Sequence, residues 1–256
     1  MKEFKSVDIL QLLLMQQKDK TVGQLEATLD ETEQENKNNY VKKDVDLSDD
    51  LILANSLTFL LAGYETTSTA LGFTAWLLAK HPEVQTRLQE EVDQQVTETT
   101  QLTYDHVRKM PYLDAVFRES LRICPPVFDF MIRTCVSPCT IGSYRFEAGM
   151  EVAAPVYSIH HNPDLWPDPE KFMPERFLGE EAGSHHPAAW LPFGLGPRNC
   201  IGLRFAEMEY KMAIVKIMQK FNLVLGEDAQ DPLERAAVAV LHRPADEVRV
   251  KVTYRQ

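Results

Sequence analysis

The chain has 256 residues, of which 44% are hydrophobic and 25% are charged, a composition typical of a folded globular protein. Its 38 acidic and 27 basic residues give a net charge of −11, which argues against nucleic-acid binding because phosphate contacts need a concentrated basic surface. Four cysteines in a chain of this length do not indicate a secreted disulfide scaffold. The apolar stretch over 7–15 lacks a signal-peptide cleavage site, and no transmembrane helix is predicted.

Apolar spacing predicts a mainly α-helical chain. A short helix is predicted over 7–16, followed by a polar loop over 17–46. Ser48 is followed by two acids, which favour the positive end of a helix dipole, and we expect a long helix to run from there to Lys80. Further helices are predicted over 82–98, 104–109, 112–124 and 201–221.

The β component is predicted to be small. Residues 139–157 combine alternation with turn glycines and indicate a strand meander, whereas 161–193 are typical of structured coil. The segment 238–254 predicts a hairpin that turns at Pro244, Ala245 and Asp246. The helix over 201–221 is predicted to bury one apolar stripe, formed by Ile201, Phe205, Met208, Met212, Val215 and Met218.

Cys200 lies in the glycine-rich segment FGLGPRNCIG, residues 193–202, directly before that helix. A sulfur at a helix N-terminus faces free N–H groups and the positive end of the dipole, and Arg198 adds charge of the same sign. These features favour a thiolate. From these residues alone, a reactive thiol, a metal-binding thiolate and an ordinary buried cysteine all remain open.

The complete spacing F-x-x-G-x-R-x-C-x-G resembles the haem-binding loop of the cytochromes P450. The resemblance implies haem b as cofactor, with the Cys200 thiolate as axial ligand of the iron. Arg133 matches the family's haem-propionate arginine, although an exposed charge at a strand edge is an alternative interpretation. The other cofactor-binding residues implied by position are Phe193, Gly194, Arg198, Gly202 and Ala62.

The long helix carries the run AGYETTS, residues 62–68, which resembles the oxygen-activation motif of the same family. The resemblance implies that the Thr66 hydroxyl acts on bound dioxygen and that Glu65 takes part in proton delivery. Without the haem-loop match, a packing notch of small residues would explain the run equally well. The threonine favours O₂-dependent chemistry over isomerisation, because many isomerising relatives lack it.

Glu119 and Arg122 are three residues apart and meet on one helix face. They resemble the E-x-x-R motif of the P450 family, and Arg176, in MPERF, matches the third member of its buried network. The resemblance implies that these three residues have a structural role and not a catalytic one.

The chain most resembles animal microsomal P450s that include the vertebrate family-3 drug and steroid hydroxylases. This implies a monooxygenase that inserts one oxygen atom of O₂ into a lipophilic small molecule (a steroid, fatty acid or xenobiotic), with electrons from NADPH-cytochrome P450 reductase. The alternatives are a haem-thiolate isomerase like thromboxane synthase and a truncated, non-catalytic fragment. The substrate-pocket residues implied by position are Leu61, Ala62, Phe128, Met131 and Leu241.

The resemblance covers the C-terminal part of a single P450 domain, over residues 1–256. We expect the family's N-terminal half and its membrane anchor to lie outside this sequence. By resemblance, the protein is expected on the cytoplasmic face of the endoplasmic reticulum membrane, held only through that anchor.

Two further pairs of residues are of types that can bind a metal ion. Cys135 and Cys139 are four residues apart with no second ligand pair nearby, so no zinc site is predicted. His160 and His161 are interpreted as surface or loop-anchoring histidines rather than as ligands.

Overall fold

A computed structural model describes residues 9–18, 47–97, 101–129 and 131–255. The described chain divides into two compact units, one up to Tyr64 and the other from Glu65 onward. Most of the polar loop predicted over 17–46 lies outside the described residues, but its first two residues belong to a helix.

Helices dominate both units, and the predicted ones are confirmed to within a few residues. The five-residue helix Val156–His160 was not predicted, because it is a short helix after Pro155 at the end of a segment that resembled a strand meander. The α-helices of the described residues are α1 (Ile9–Lys18), α2 (Asp49–Lys80), α3 (Pro82–Gln95), α4 (Tyr104–Arg108), α5 (Pro111–Ile123), α6 (Val156–His160) and α7 (Leu203–Lys220). Short 3-10 helices cover Pro174–Phe177, Glu181–Gly183 and Pro187–Ala189, within the segment predicted as structured coil.

The first unit contains α1 and the beginning of α2. Ser48 precedes α2 and its hydroxyl accepts a hydrogen bond from the Leu51 backbone N–H at 3.3 Å, as its cap position predicts. The Gln17 amide donates to the Asp49 carboxylate at 2.7 Å. None of the described helices combines the length and the apolar character that crossing a bilayer requires.

Short antiparallel strand pairs form the β component. Strands do occur in the segment predicted as a meander, but the meander order is wrong, because Glu151–Ala154 pairs with an unpredicted strand, Met131–Thr134, and not with the strand before it. Gly142, at φ 61°, makes the turn between the strands Cys139–Ile141 and Tyr144–Phe146. The pairs are β1 (Met131–Thr134) with β4 (Glu151–Ala154), β2 (Cys139–Ile141) with β3 (Tyr144–Phe146), β5 (Phe221–Val224) with β8 (Lys251–Tyr254), and β6 (Arg235–Val238) with β7 (Leu241–Pro244).

The C-terminal hairpin prediction is wrong. Its turn lies between β6 and β7, where Ala239 has a φ of 54°, and not at Pro244, which ends β7 opposite Arg235. Proline is tolerated at the end of a strand because few ladder bonds are lost there. The last strand pairs instead with β5, where the rings of Phe221 and Tyr254 lie 5.1 Å apart.

The core of the second unit forms between helices. The second half of α2 contributes Phe73 and Leu78, and the Thr74 hydroxyl hydrogen-bonds to the Tyr210 hydroxyl at 2.7 Å. The other fully buried core residues of these helices include Leu88, Val92, Leu113, Val116, Ile214, Val215 and Met218.

The apolar stripe predicted for α7 is wrong at its N-terminal end, since Ile201 is 84% and Phe205 63% exposed. The buried face of α7 includes Tyr210 and Lys211 together with Ile214, Val215 and Met218. Lys211 can be buried because its ammonium donates to Asp114 at 2.7 Å and also pairs with Glu207. Apolar spacing does not reveal such satisfied polar groups.

Candidate functional site

The loop before α7 holds Cys200 by local backbone bonds. The Cys200 N–H donates to the Phe193 carbonyl at 2.8 Å, and the Gly194 N–H donates to Leu191 at 3.1 Å. Gly194 and Gly196 have φ values of 74° and 81°, a region that other residues enter only with strain. The glycines of the motif therefore determine the path of the loop.

The Cys200 side chain is exposed at the N-terminus of α7. Gly202 is the N-cap residue of this helix, and a Cβ added to it would lie 3.9 Å from the Cys200 sulfur. The sulfur therefore lies beside the first turn of α7. Of the three interpretations left open by the residues alone, an ordinary buried cysteine is wrong.

The surroundings of Cys200 fit a large, mostly apolar group with an acidic edge. Within five residues of the sulfur along the chain, Leu195, Ile201 and Phe205 are 50%, 84% and 63% exposed. Exposed apolar surface concentrated around a potential metal ligand is suited to covering by a flat cofactor such as haem. Arg198, exposed in the same loop, offers a cation for a carboxylate of such a group.

Strand β1 lies against this loop. A Cβ on Gly194 would lie 3.9 Å from the Met131 sulfur, which places the start of β1 beside the glycine. Arg133 is two residues further along the strand and so shares a face with Met131. The Arg133 side chain is exposed, and its guanidinium donates to the Ile132 carbonyl at 2.8 Å.

Phe193 joins the loop to the core. Its ring is half-buried, with its centroid 6.1 Å from that of Phe117 and 6.2 Å from that of Trp190. Packing of this ring holds the first residue of the motif in place.

The candidate residues of the long helix lie in both units. Glu65 and Thr66 are partly exposed on α2, which continues unbroken through the AGYETTS run. The Ser68 hydroxyl donates to the Glu65 carbonyl at 3.1 Å. Leu61 and Ala62 belong to the other unit, where both are exposed.

The other predicted pocket residues are partly buried and do not converge on one cavity. Phe128 stacks on His242 with ring centroids 4.2 Å apart, and both residues line an open cavity of about 530 Å³. Leu241 forms an isolated bridge with Val127, and neither it nor Met131 lines that cavity.

Glu119, Arg122 and Arg176 come together in the interior. Glu119 and Arg122 are fully buried, and two Arg122 nitrogens donate to the Glu119 carboxylate at 2.7 and 2.9 Å. The Arg176 guanidinium donates to the same carboxylate at 3.3 Å, and so does the Met173 backbone N–H at 3.0 Å. Arg122 also donates to the His160 and Pro169 carbonyls, both at 2.7 Å. The network thereby joins α5 to the coil that follows α6.

His160 anchors a loop, one of the two roles predicted for it, and it does not lie at the surface. It is fully buried, its Nε2 accepts from the Leu191 N–H at 2.8 Å, and its Nδ1 lies 3.2 Å from the Arg122 carbonyl. Burial, reinforced by the Arg122 charge, lowers the pKa of His160 to about 3, so the ring is neutral near pH 7. Nothing in the sequence distinguishes it from the adjacent His161.

The chain matches known proteins along most of its length. A profile of the cytochrome P450 family matches residues 8–250. Cytochrome P450 3A41 of Mus musculus is 43% identical over 209 residues, 82% of this chain and 41% of the relative. Cytochrome P450 3A13 of Mus musculus is 38% identical over 254 residues (99% and 46%), and cytochrome P450 9e2 of Blattella germanica is 43% identical over 226 residues (87% and 41%).

The chain thus spans less than half the length of these curated relatives. The family profile, by contrast, matches nearly the whole of this chain. The chain belongs to the cytochrome P450 family, whose cofactor is a haem iron ligated by a cysteine thiolate.

Proposed function

We propose that this chain forms the haem-binding part of a monooxygenase and that Cys200 is its thiolate ligand. The observation that carries the proposal is the exposed Cys200 sulfur at the N-terminus of α7, in a loop whose path depends on glycine. The haem would supply the redox chemistry that inserts one oxygen atom of O₂ into the substrate.

Around Cys200, the proposed roles follow the chemistry of each side chain. Arg198 and Arg133 pair with the two haem carboxylates, because a guanidinium binds a carboxylate through paired hydrogen bonds. Phe193, Gly194 and Gly202 keep the loop close to the cofactor face. Glu119, Arg122 and Arg176 support the fold and take no part in the reaction.

Thr66 and Glu65 are proposed to transfer protons to the reaction site. A hydroxyl can donate and accept at once, and a partly exposed carboxylate can exchange protons with water. Both groups are partly exposed on adjacent positions of α2, which suits a relay between solvent and a reaction site.

The proposed substrates are lipophilic small molecules, with Phe128, Met131 and Leu241 contributing to the pocket. The proposed electron donor is NADPH-cytochrome P450 reductase, and the proposed location is the endoplasmic reticulum membrane. These three proposals rest on family resemblance.

The thiolate assignment is tested by the carbon monoxide difference spectrum. The purified chain is loaded with haemin, reduced and exposed to carbon monoxide, and a strongly red-shifted Soret band is expected from thiolate ligation. Cys200→Ser should abolish the band, whereas Cys139→Ser, a matched change at another exposed cysteine, should leave it unchanged. An unchanged band in Cys200→Ser would refute the assignment.

The proton-transfer role is tested by measuring how tightly NADPH consumption is coupled to product formation. With reductase, NADPH and a steroid probe, Thr66→Ala is expected to lower the product formed per NADPH consumed. The control is Thr58→Ala, an exposed position on the same helix. Equal coupling in the two variants would remove Thr66 from the proposed relay.

A further inference from the structure

Two cysteine thiols lie close together at the junction between β1 and β2. The Cys135 and Cys139 sulfurs are 3.9 Å apart, across a loop of three intervening residues. The backbone of Cys135 is fixed by two hydrogen bonds, from its N–H to Met150 at 2.8 Å and to its carbonyl from Gly149 at 2.7 Å. Cys139 begins β2, where it pairs with Phe146.

The pair is accessible to small oxidants. Cys139 is exposed, Cys135 is partly exposed, and Val136 between them is 92% exposed. Cys124, by contrast, is fully buried, and desolvation raises the pKa of its thiol to about 11. The hydrogen bond from Cys135 raises the pKa of Cys139, so the proximity and the exposure of the two sulfurs distinguish this pair from the buried Cys124 thiol.

In the described part of the chain, the lack of further ligands near the two sulfurs suits a bond between the thiols better than a metal site. A disulfide has an S–S distance of about 2.0 Å, so the two sulfurs must approach by about 1.9 Å from their separation of 3.9 Å. Among the residues that the structure describes, no third cysteine, histidine or carboxylate joins the pair to form a metal-binding group. We propose that Cys135 and Cys139 form a reversible intramolecular disulfide when the protein is exposed to hydrogen peroxide.

The reaction balances with hydrogen peroxide as oxidant. One thiolate attacks a peroxide oxygen, the O–O bond breaks, and a sulfenic acid and hydroxide form; the hydroxide takes up the thiol proton to become water. The second sulfur then attacks the sulfenic sulfur, the S–O bond breaks, and a second water leaves with the remaining thiol proton. The two sulfurs lose two electrons and the peroxide gains them. Thiols such as glutathione reverse the bond by exchange.

Trypsin separates the cysteines for measurement. Cleavage after arginine places Cys135 and Cys139 together in peptide 134–145, Cys124 in 123–133 and Cys200 in 199–204. The reduced chain is treated with hydrogen peroxide, alkylated with iodoacetamide, digested and analysed by mass spectrometry. Peptide 134–145 is expected to lose two hydrogen atoms, to carry no alkyl group and to recover both thiols after dithiothreitol.

Single variants isolate the pair. In Cys135→Ser and Cys139→Ser the remaining thiol should give a sulfenic acid that dimedone captures, and the bridged peptide should be absent. A native peptide 134–145 that stays doubly alkylated, or that shows only separate sulfinic acids, would overturn the proposal.

The contribution of the fold is measured against the unfolded chain. In glutathione redox buffers, the bridged fraction gives the effective concentration of one thiol near the other, which we expect to be about tenfold higher in the folded chain than in urea. An equal or lower value in the folded chain would mean that the structure does not favour the bond, and the proposal would fail.

Discussion

Replacing Glu119 by glutamine tests whether the buried network supports the fold. The substitution keeps the shape of the side chain but removes its negative charge, leaving the Arg122 and Arg176 guanidiniums buried beside a neutral amide. The new amide NH₂ would also face a guanidinium donor, because both carboxylate oxygens accept hydrogen bonds from arginine. Neither arginine can move into water without breaking its hydrogen bonds to backbone carbonyls.

The expected loss of stability is large because the three side chains are buried away from water. Glu119 and Arg122 are 0% exposed and Arg176 is 3% exposed, so solvent screens none of the unpaired charge. Breaking one partner of a buried pair costs about 3–5 kcal/mol. Since total stabilities of about 5–15 kcal/mol are usual, Glu119→Gln should lose a large fraction of its free energy of unfolding.

Urea unfolding followed by far-ultraviolet circular dichroism measures this loss. Glu90→Gln is the matched control, since Glu90 is exposed on α3 and its neutralisation should change the free energy of unfolding by less than about 0.5 kcal/mol. If Glu119→Gln came within about 1 kcal/mol of this control, the network would not stabilise the fold as argued.

Further substitutions probe the loop, the core and the buried histidine. Gly196 has a φ of 81° with open space where a Cβ would lie, so Gly196→Ala should cost about 1–2 kcal/mol from backbone strain alone; Gly183→Ala, with equal space and no positive φ, should cost almost nothing in the same urea assay. Tyr210→Phe removes the 2.7 Å bond to Thr74 and should cost about 1 kcal/mol, and an unchanged urea midpoint would contradict this. The pKa of His160 is lowered from 6.5 to about 3, so acidification through this window protonates the unfolded chain first and should lower stability by up to about 1.4 kcal/mol per pH unit. His160→Gln should flatten that part of the stability–pH curve, and a curve of unchanged slope would exclude His160 as its source.

Local signals explain why much of the candidate site could be predicted. The glycine, arginine and cysteine spacing of 193–202 determines the loop and the start of α7 through short-range geometry, and the structure has both where the sequence predicted them. Likewise, Ser48 marks the start of α2 through a bond to its own first turn. Such features need no knowledge of distant contacts.

Several features that the sequence did not reveal depend on distant partners. The strand pairing of β5 with β8 joins residues about thirty positions apart, which turn propensity at Pro244 could not reveal. The burial of Lys211 depends on Asp114, nearly a hundred residues earlier. His160 and His161 are adjacent and identical in type, and only the packing of α6 separates the buried ring from its neighbour.

Continuous hydrogen bonding connects the structural network to the candidate ligand loop. Arg122 binds the carbonyl of His160, whose ring accepts from the Leu191 N–H; the Leu191 carbonyl then accepts from Gly194, at the start of the Cys200 loop. Each bond fixes a backbone group that the next one uses, so the buried ion pair and the loop share one scaffold. Some eighty residues separate these motifs in the sequence, and the buried His160 ring joins them. It can do so because its lowered pKa keeps the ring neutral, and only a neutral ring can accept a hydrogen bond from the Leu191 N–H.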